Sequence, residues 1–207
     1  MNDENKFLVV GLTGPTGSGK TTVSEVFADN GFYVINCDSV AHEVTQKSTP
    51  CLKELVHEFS NDILNEDGTL NRQKLADIVF SDSVKKACFE GVVYPYIIAK
   101  ILDEIKNAAS NGVEYVLLDA PTLFQSNADD LCDVKVSVIA DEHRRYENVI
   151  SRDGLSLKQA QLRMSAQKKD DYYITRSDVV IRNNKDIDTL KRTAKELVNT
   201  IKEFRHV

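Results

Sequence analysis

Residues 7–22 read FLVVGLTGPTGSGKTT, and no other stretch limits the fold of this chain as tightly. An apolar run, Phe7 to Val10, leads into Gly14-x-x-x-x-Gly19-Lys20-Thr21, and the helical pattern VSEVFADNG follows. A buried strand, a glycine-rich turn and a helix in that order make a phosphate-binding loop. Its backbone N–H groups must converge on crowded anionic oxygens with no Cβ atoms in the way, which Gly14, Gly17 and Gly19 permit, and the helix adds the positive end of its dipole. Pro15 has no N–H, so the cradle is expected from Gly17, Ser18, Gly19, Lys20, Thr21 and Thr22. Lys20 suits the β- and γ-oxygens of a nucleoside triphosphate as a mobile cation, and the Thr21 hydroxyl suits magnesium.

Five short apolar runs read as buried strands: FLVVGL (7–12), FYVINC (32–37), YVLLDA (115–120), VKVSVIA (134–140) and DVVIR (178–182). Alternating with helical patterns, they predict a doubly wound α/β fold on a five-stranded parallel sheet covered on both faces. Between the second and third runs, CLKELVHEF, QKLADIVF and YIIAKILDEI carry apolar residues at helical spacing. The expected organisation is one unit over residues 1–207, with its core in 1–37, 114–140 and 177–207, a helical insertion at 38–113 and a helical excursion at 141–176. In that excursion Ser156-Leu-Lys-Gln159 predicts a capping box opening a helix through about Lys168, after a turn at Arg152-Asp-Gly-Leu. A last helix is predicted from Asp188 to about Phe204.

The charge balance, 26 Lys plus Arg against 32 Asp plus Glu, gives a net charge of -6. It argues against a general attraction to nucleic acid or to anionic membranes, so any anionic ligand must meet local positive charge. Cys37, Cys51, Cys88 and Cys132 are scattered, with no C-x-x-C pair, and read as buried thiols rather than as a disulfide framework or zinc site. The N-terminal MNDENK is polar and acidic, and the next apolar run is interrupted too early for a signal-peptide core. With no apolar stretch long enough to span a membrane, the chain is expected to be soluble and cytoplasmic. His42, His57, His143 and His206 lie in helical patterns without partner spacing and read as ordinary surface or core residues, and Tyr172 and Tyr173 as packing residues.

The loop alone does not separate switches, motors and kinases. A GTPase would carry D-x-x-G after its magnesium strand, where this chain has Asp119-Ala-Pro-Thr122, and N-K-x-D for guanine, where Asn184-Lys185-Asp186-Ile187 misplaces the acid. A kinase instead needs a carboxylate to orient the magnesium's water shell, a group to take a proton from an acceptor hydroxyl, and cations that close over the phosphates. Asp119, ending a buried strand, fits the first role through water. Asp38, just beyond the second strand, fits the second, and equally fits a helix N-cap. Residues 141–176 hold eight Lys or Arg against six Asp or Glu, net +2, which leaves -8 for the rest. Arg145 and Arg152 are seven apart and share a helical face if that helix persists, and Arg163 and Gln167 are four apart on the next.

Taken together, GLTGPTGSGKTT, YVINCDSVAHEV, NDILNEDGTLNRQKLADIVF, LLDAPTLFQ, ISRDGLSLKQAQLRMSAQ and SDVVIRNN resemble the dephospho-coenzyme A kinases, from Phe7 to about Leu197. The resemblance implies a P-loop kinase that uses ATP and magnesium to phosphorylate the ribose 3'-hydroxyl of dephospho-coenzyme A. It implies Gly17 to Thr22 on the ATP phosphates, Asp38 as candidate base and Arg152 as a lid arginine. Arg72 and Arg163 become candidate contacts for the acceptor or the closed lid, and Asn183 lies near the expected adenine. Residues 38–113 would then bind the acceptor and 141–176 form the lid. The chain departs from the family at Tyr94-Pro95, where His-Pro is typical, and at Pro121-Thr-Leu-Phe-Gln125, where Pro-Leu-Leu-Phe-Glu is typical. It also lacks the glycines favoured at Pro15, Ser60 and Lys185. Tyr94 and Gln125 therefore stand at acceptor-side positions. They leave open a divergent kinase for another nucleoside-like hydroxyl, or a nucleotide-binding module without turnover. The sequence indicates no oligomeric state.

Overall fold

β1 (Leu8–Thr13) occupies the middle of a five-stranded sheet. The structure is a computed structural model that describes residues 7–204; MNDENK and His206 lie outside the described residues. Along the chain follow α1 (Lys20–Asp29), β2 (Tyr33–Asn36), α2 (Cys37–Val44), α3 (Pro50–Phe59), α4 (Arg72–Ser81), α5 (Ser83–Ser110) and β3 (Tyr115–Asp119). β4 (Val134–Ile139), α6 (Glu142–Asp153), α7 (Leu157–Ser165), α8 (Asp170–Ile174), β5 (Val179–Arg182) and α9 (Ile187–Phe204) complete it. The strand order is β2-β3-β1-β4-β5, and β1 pairs in parallel with both β3 and β4. In an open α/β sheet of this kind, ligands gather outside the carboxyl ends of the strands. The loop after β1 and Asp119 at the end of β3 are both at that edge, in register through Leu12↔Asp119.

The chain divides into two compact units, one formed by residues 1–35 and 108–207, the other by 36–107. In the first, β3 is buried along its whole length, as a central parallel strand must be when helices cover both faces. α9 presents Leu190, Ala194, Val198 and Ile201, spaced three or four apart, to a core shared with Val10, Leu12, Phe27, Leu117 and Val138. In the second unit α2, α3, α4 and most of α5 surround Leu52, Leu55, Ile63, Leu75 and Val79.

Several elements differ from the sequence reading. The insertion is not wholly helical: Leu64 and Leu70 form an antiparallel bridge across the Asp67-Gly68 turn, because Asp67 Oδ1 accepts from the Thr69 N–H at 2.9 Å and closes the chain on itself. Arg152 and Asp153 belong to the last turn of α6, and the chain leaves the helix at Gly154, whose N–H reaches the Ile150 carbonyl at 3.0 Å. Ser156 and Gln159 do form the capping box of α7, but the helix ends at Ser165, so Gln167 lies beyond it. The N-cap of α2 is Asn36, whose side chain accepts from the Ser39 N–H at 2.9 Å. Asp38 is an exposed residue of the first turn, not the cap.

Candidate active site

The loop between β1 and α1 is built around backbone that only glycine tolerates at its tightest points. Gly17 and Gly19 have φ of 78° and 96°. A Cβ on Gly17 would lie 2.6 Å from the Arg145 carbonyl oxygen, and one on Gly19 would lie 2.5 Å from Nδ2 of Asn183. The glycines therefore serve the packing of neighbouring elements onto the loop as well as the approach of a ligand. At the head of α1 the first helical bond runs from the Val23 N–H to the Gly19 carbonyl at 3.3 Å. The N–H groups of Lys20, Thr21 and Thr22 precede it and make a donor cluster suited to anionic oxygens.

Lys20 is ion-paired with Asp119, and the side chains are only 17% and 10% exposed. The strand-end carboxylate thus holds the loop's cation when no phosphate competes for it. Thr21 is exposed at the head of the helix. Its hydroxyl and the Asp119 carboxylate are hard oxygen donors of the type magnesium accepts.

The basic segment separates into two kinds of arginine. Arg145 is buried; its Nε donates to the Thr16 carbonyl at 3.1 Å and its Nη1 lies 3.4 Å from Asp170 Oδ1. It is a fixed part of the loop's surroundings rather than a mobile cation. Arg152, two turns on, is exposed, because the end of α6 runs past the part of the helix that is covered. Arg152 pairs with Asp153 through two bonds of 2.7 and 2.9 Å, and Arg163 reaches the same carboxylate at 2.6 Å. The hydrogen bond from Arg152, assisted by its charge and that of Arg163, holds the Asp153 carboxyl below the usual carboxylate range, and the same bond raises Arg152.

Asn183 follows β5 and is buried, with Nδ2 donating to the Ser18 carbonyl at 2.9 Å. Among the described residues its Oδ1, the Ser18 hydroxyl and the Gln125 Oε1 are buried without a hydrogen-bond partner. Tyr173 is buried as read from sequence, and burial pushes its phenol upward. Tyr172 is half-buried, with the Arg176 guanidinium 4.2 Å from its ring.

In the second unit, the Asp67-Gly68-Thr69-Leu70-Asn71-Arg72 stretch has a specific geometry. Asp67 closes the turn, Leu70 pairs with Leu64, and the Asn71 side chain caps α4 by accepting from Lys74 N–H at 3.0 Å. Arg72 is thereby set at the first position of α4, where its guanidinium donates to Thr45 Oγ1 at 2.9 Å. It borders a cavity of about 190 Å3 whose other walls include Thr45, Leu75, Val79, Phe89 and Val93. Tyr94 lies on α5, its hydroxyl 3.3 Å from Glu90 Oε1. None of the four cysteines is in a disulfide; Cys37 and Cys51 are buried as expected, whereas Cys88 and Cys132 are only partly so, and burial, reinforced by the nearby Glu54 carboxylate, pushes the Cys51 thiol to about 11, which keeps it protonated.

The structure thus assembles Gly17 to Thr22, Asp119 and Asn183 in one unit, and places Asp38, Arg72 and Tyr94 in the other. The sequence reading missed Asn148 and Thr45. Asn148, three residues after Arg145 on the same face of α6, donates to the Gly17 carbonyl at 2.7 Å, and its helical spacing from Arg145 was the only signal available.

A family model described as dephospho-CoA kinase matches residues 8–189. The chain belongs to the dephospho-CoA kinase family. A dephospho-CoA kinase from Oryza sativa subsp. japonica is 36% identical over 195 residues, covering 94% of this chain and 85% of that protein. A crystal structure from Thermus thermophilus superposes with a TM-score of 0.79 at 26% identity, covering 94% of this chain and 97% of the other. A dephospho-CoA kinase from Campylobacter jejuni shares the fold, with a TM-score of 0.70 at 23% identity and coverage of 95% and 98%. Among the described residues of this dephospho-CoA kinase family member, no helix is long and apolar enough to cross a membrane.

Proposed function

We propose that this chain transfers the γ-phosphoryl group of ATP to the ribose 3'-hydroxyl of dephospho-coenzyme A, giving ADP and coenzyme A, the last step of coenzyme A synthesis. The observation that carries the reading is the family match over residues 8–189, which spans the phosphate loop, the whole of the second unit and the basic segment. The donor chemistry follows from the loop. The N–H groups of Gly17 and of Gly19 to Thr22 bind the phosphate oxygens, the Ser18 N–H being held on the Pro15 carbonyl at 3.2 Å, and Lys20 leaves Asp119 for the β- and γ-oxygens when they arrive. Magnesium, held by Thr21 and by Asp119 through water, supplies charge neutralisation at the phosphates when bound. Asp38 accepts the hydroxyl proton, and its release from the capping role by Asn36 supports this assignment. Arg152 meets the charge spread over the transferred group, and Arg163 serves the acceptor or the closed lid. Asn183 completes the ATP site. Residues 38–113 supply the acceptor-binding region, where Arg72 beside an apolar cavity offers a cation for a phosphate and a surface for an extended organic chain. Residues 141–176 are the lid, and four cysteines outside any disulfide suit a cytoplasmic protein.

The test is ADP release from ATP and magnesium with and without 3'-dephospho-coenzyme A, with coenzyme A confirmed by mass. Acceptor-dependent formation of both products is expected, and Asp38→Asn should lower kcat by roughly 10² while leaving ATP binding intact. A loss below about threefold would remove Asp38 from the role of base. A second reading rests on Tyr94 and on Gln125, whose buried Oε1 awaits a donor. If dephospho-coenzyme A is inert and another nucleoside is turned over, these two residues have redirected the acceptor site.

A further inference from the structure

Resting on the reading of the loop as the ATP site, we propose that Arg145, Asn148 and Asn183 are positioning residues that set the direction of the phosphate-binding N–H groups. Three consecutive loop carbonyls are each held by a side-chain donor. Thr16 O accepts from Arg145 Nε at 3.1 Å, Gly17 O from Asn148 Nδ2 at 2.7 Å, and Ser18 O from Asn183 Nδ2 at 2.9 Å. On either side the chain satisfies itself, Pro15 O through the Ser18 N–H at 3.2 Å and Gly19 O through the Val23 N–H at 3.3 Å. Every carbonyl from residue 15 to 19 is therefore tied.

A trans peptide unit is planar, with its C=O and the following N–H pointing in opposite directions. Among the described residues none of the peptide bonds is cis. Holding the carbonyls of Thr16 and Ser18 against outside donors consequently aims the N–H groups of Gly17 and Gly19 toward the loop's interior, where anionic oxygens are bound. Holding the Gly17 carbonyl fixes the Ser18 N–H on the Pro15 carbonyl, and the turn so closed keeps the Gly17 and Gly19 N–H groups on either side of it in their inward direction. The side chains come from α6 and from the loop after β5, so they grip opposite ends of the same turn. The left-handed glycines make the grip possible: a side chain on Gly17 would collide with the Arg145 backbone, and one on Gly19 with Asn183 itself. Gln167 adds a contact from beyond α7, its Oε1 accepting from the Thr16 N–H at 3.4 Å. The loop's shape is thus imposed before a nucleotide arrives, and the orientation cost at binding falls.

The test uses Asn148, whose side-chain amide donates to the Gly17 carbonyl. Asn148→Asp keeps the shape of the side chain but replaces the donor with a carboxylate facing a carbonyl oxygen; Asn148→Gln retains the amide. Titration calorimetry with ADP and with inorganic tripolyphosphate should give about tenfold weaker binding of both for Asn148→Asp and near wild-type binding for Asn148→Gln. In steady state the KM for ATP should rise while the KM for the acceptor stays unchanged. That split, with rescue by the amide, is not what a general loss of folding produces. Arg145→Lys, which retains a cationic donor, provides a second variant, expected to fall between wild type and Asn148→Asp, if Asn148→Asp does not fold. Wild-type affinity for tripolyphosphate in folded Asn148→Asp, or in Arg145→Lys if it alone folds, would overturn the positioning role. Absence of nucleotide binding by the wild-type protein would instead overturn the donor-site reading, and the positioning role with it.

Discussion

The two halves of the basic segment carry the same residue types to different ends. In its inner half, Arg145 and Asn148 are committed to the backbone of the phosphate loop, and the arginine is buried. In its outer half, Arg152 and Arg163 are about half exposed and converge on Asp153. A buried arginine whose donors are spent on a loop carbonyl and a carboxylate stabilises a shape. An arginine that shares an exposed carboxylate with another can exchange that partner for a phosphate at little cost, because exposed ion pairs contribute little. Within one charge cluster, burial decides which cations are architecture and which are available for chemistry.

Substitution can break this distinction. The largest effect is expected from Arg152→Ala: kcat should fall about 10²-fold or more while the melting temperature holds, and single-turnover kinetics alongside a thermal melt would check both. An unchanged kcat would make Arg152 a surface residue and erase the contrast. Arg145→Ala should reverse the pattern, lowering stability by about 2 kcal/mol in denaturant titration, since it removes a charged hydrogen bond from a partly buried carbonyl, and weakening ATP binding as a consequence. A full loss of kcat at unchanged stability would place Arg145 with the mobile group instead.

Asp153→Asn should free both outer arginines, and the KM for ATP is expected to drop about threefold, in the range an exposed ion pair allows. A rise would mean that Asp153 orders the arginines for use rather than holding them back. The smallest effect concerns pH. The folded Asp153 carboxyl is held below its ordinary range, so its stabilising contribution is present above the unfolded value of about 3.9 and is lost as pH falls through the lower folded value. The difference in melting temperature between wild type and Asp153→Asn should therefore be flat from pH 8 to about 5 and vanish only in stronger acid. A difference that changes near neutrality would implicate another group.

The sequence by itself determined what depends on near neighbours. The β1–loop–α1 unit, the apolar runs that became five strands, of which the edge strands β2 and β5 are only partly buried, the Ser156–Gln159 capping box and the strand-end position of Asp119 are all specified by residues within a few positions of one another. Local chemistry also limited how far such readings went: the sequence offered Asp38 as an N-cap, and only the helix start at Cys37 gave that place to Asn36. Tertiary structure alone decided the partners. Lys20 meets Asp119 across 99 residues, and the donors on the loop carbonyls come from 129, 131 and 165 positions away. Helical spacing placed Arg145 and Arg152 on one face, but it carries no information about what covers each end of that face. The physical reason is that a hydrogen bond is chosen by the path of the folded backbone, and burial by the elements that pack beside it, neither of which is written in the spacing of the residues concerned.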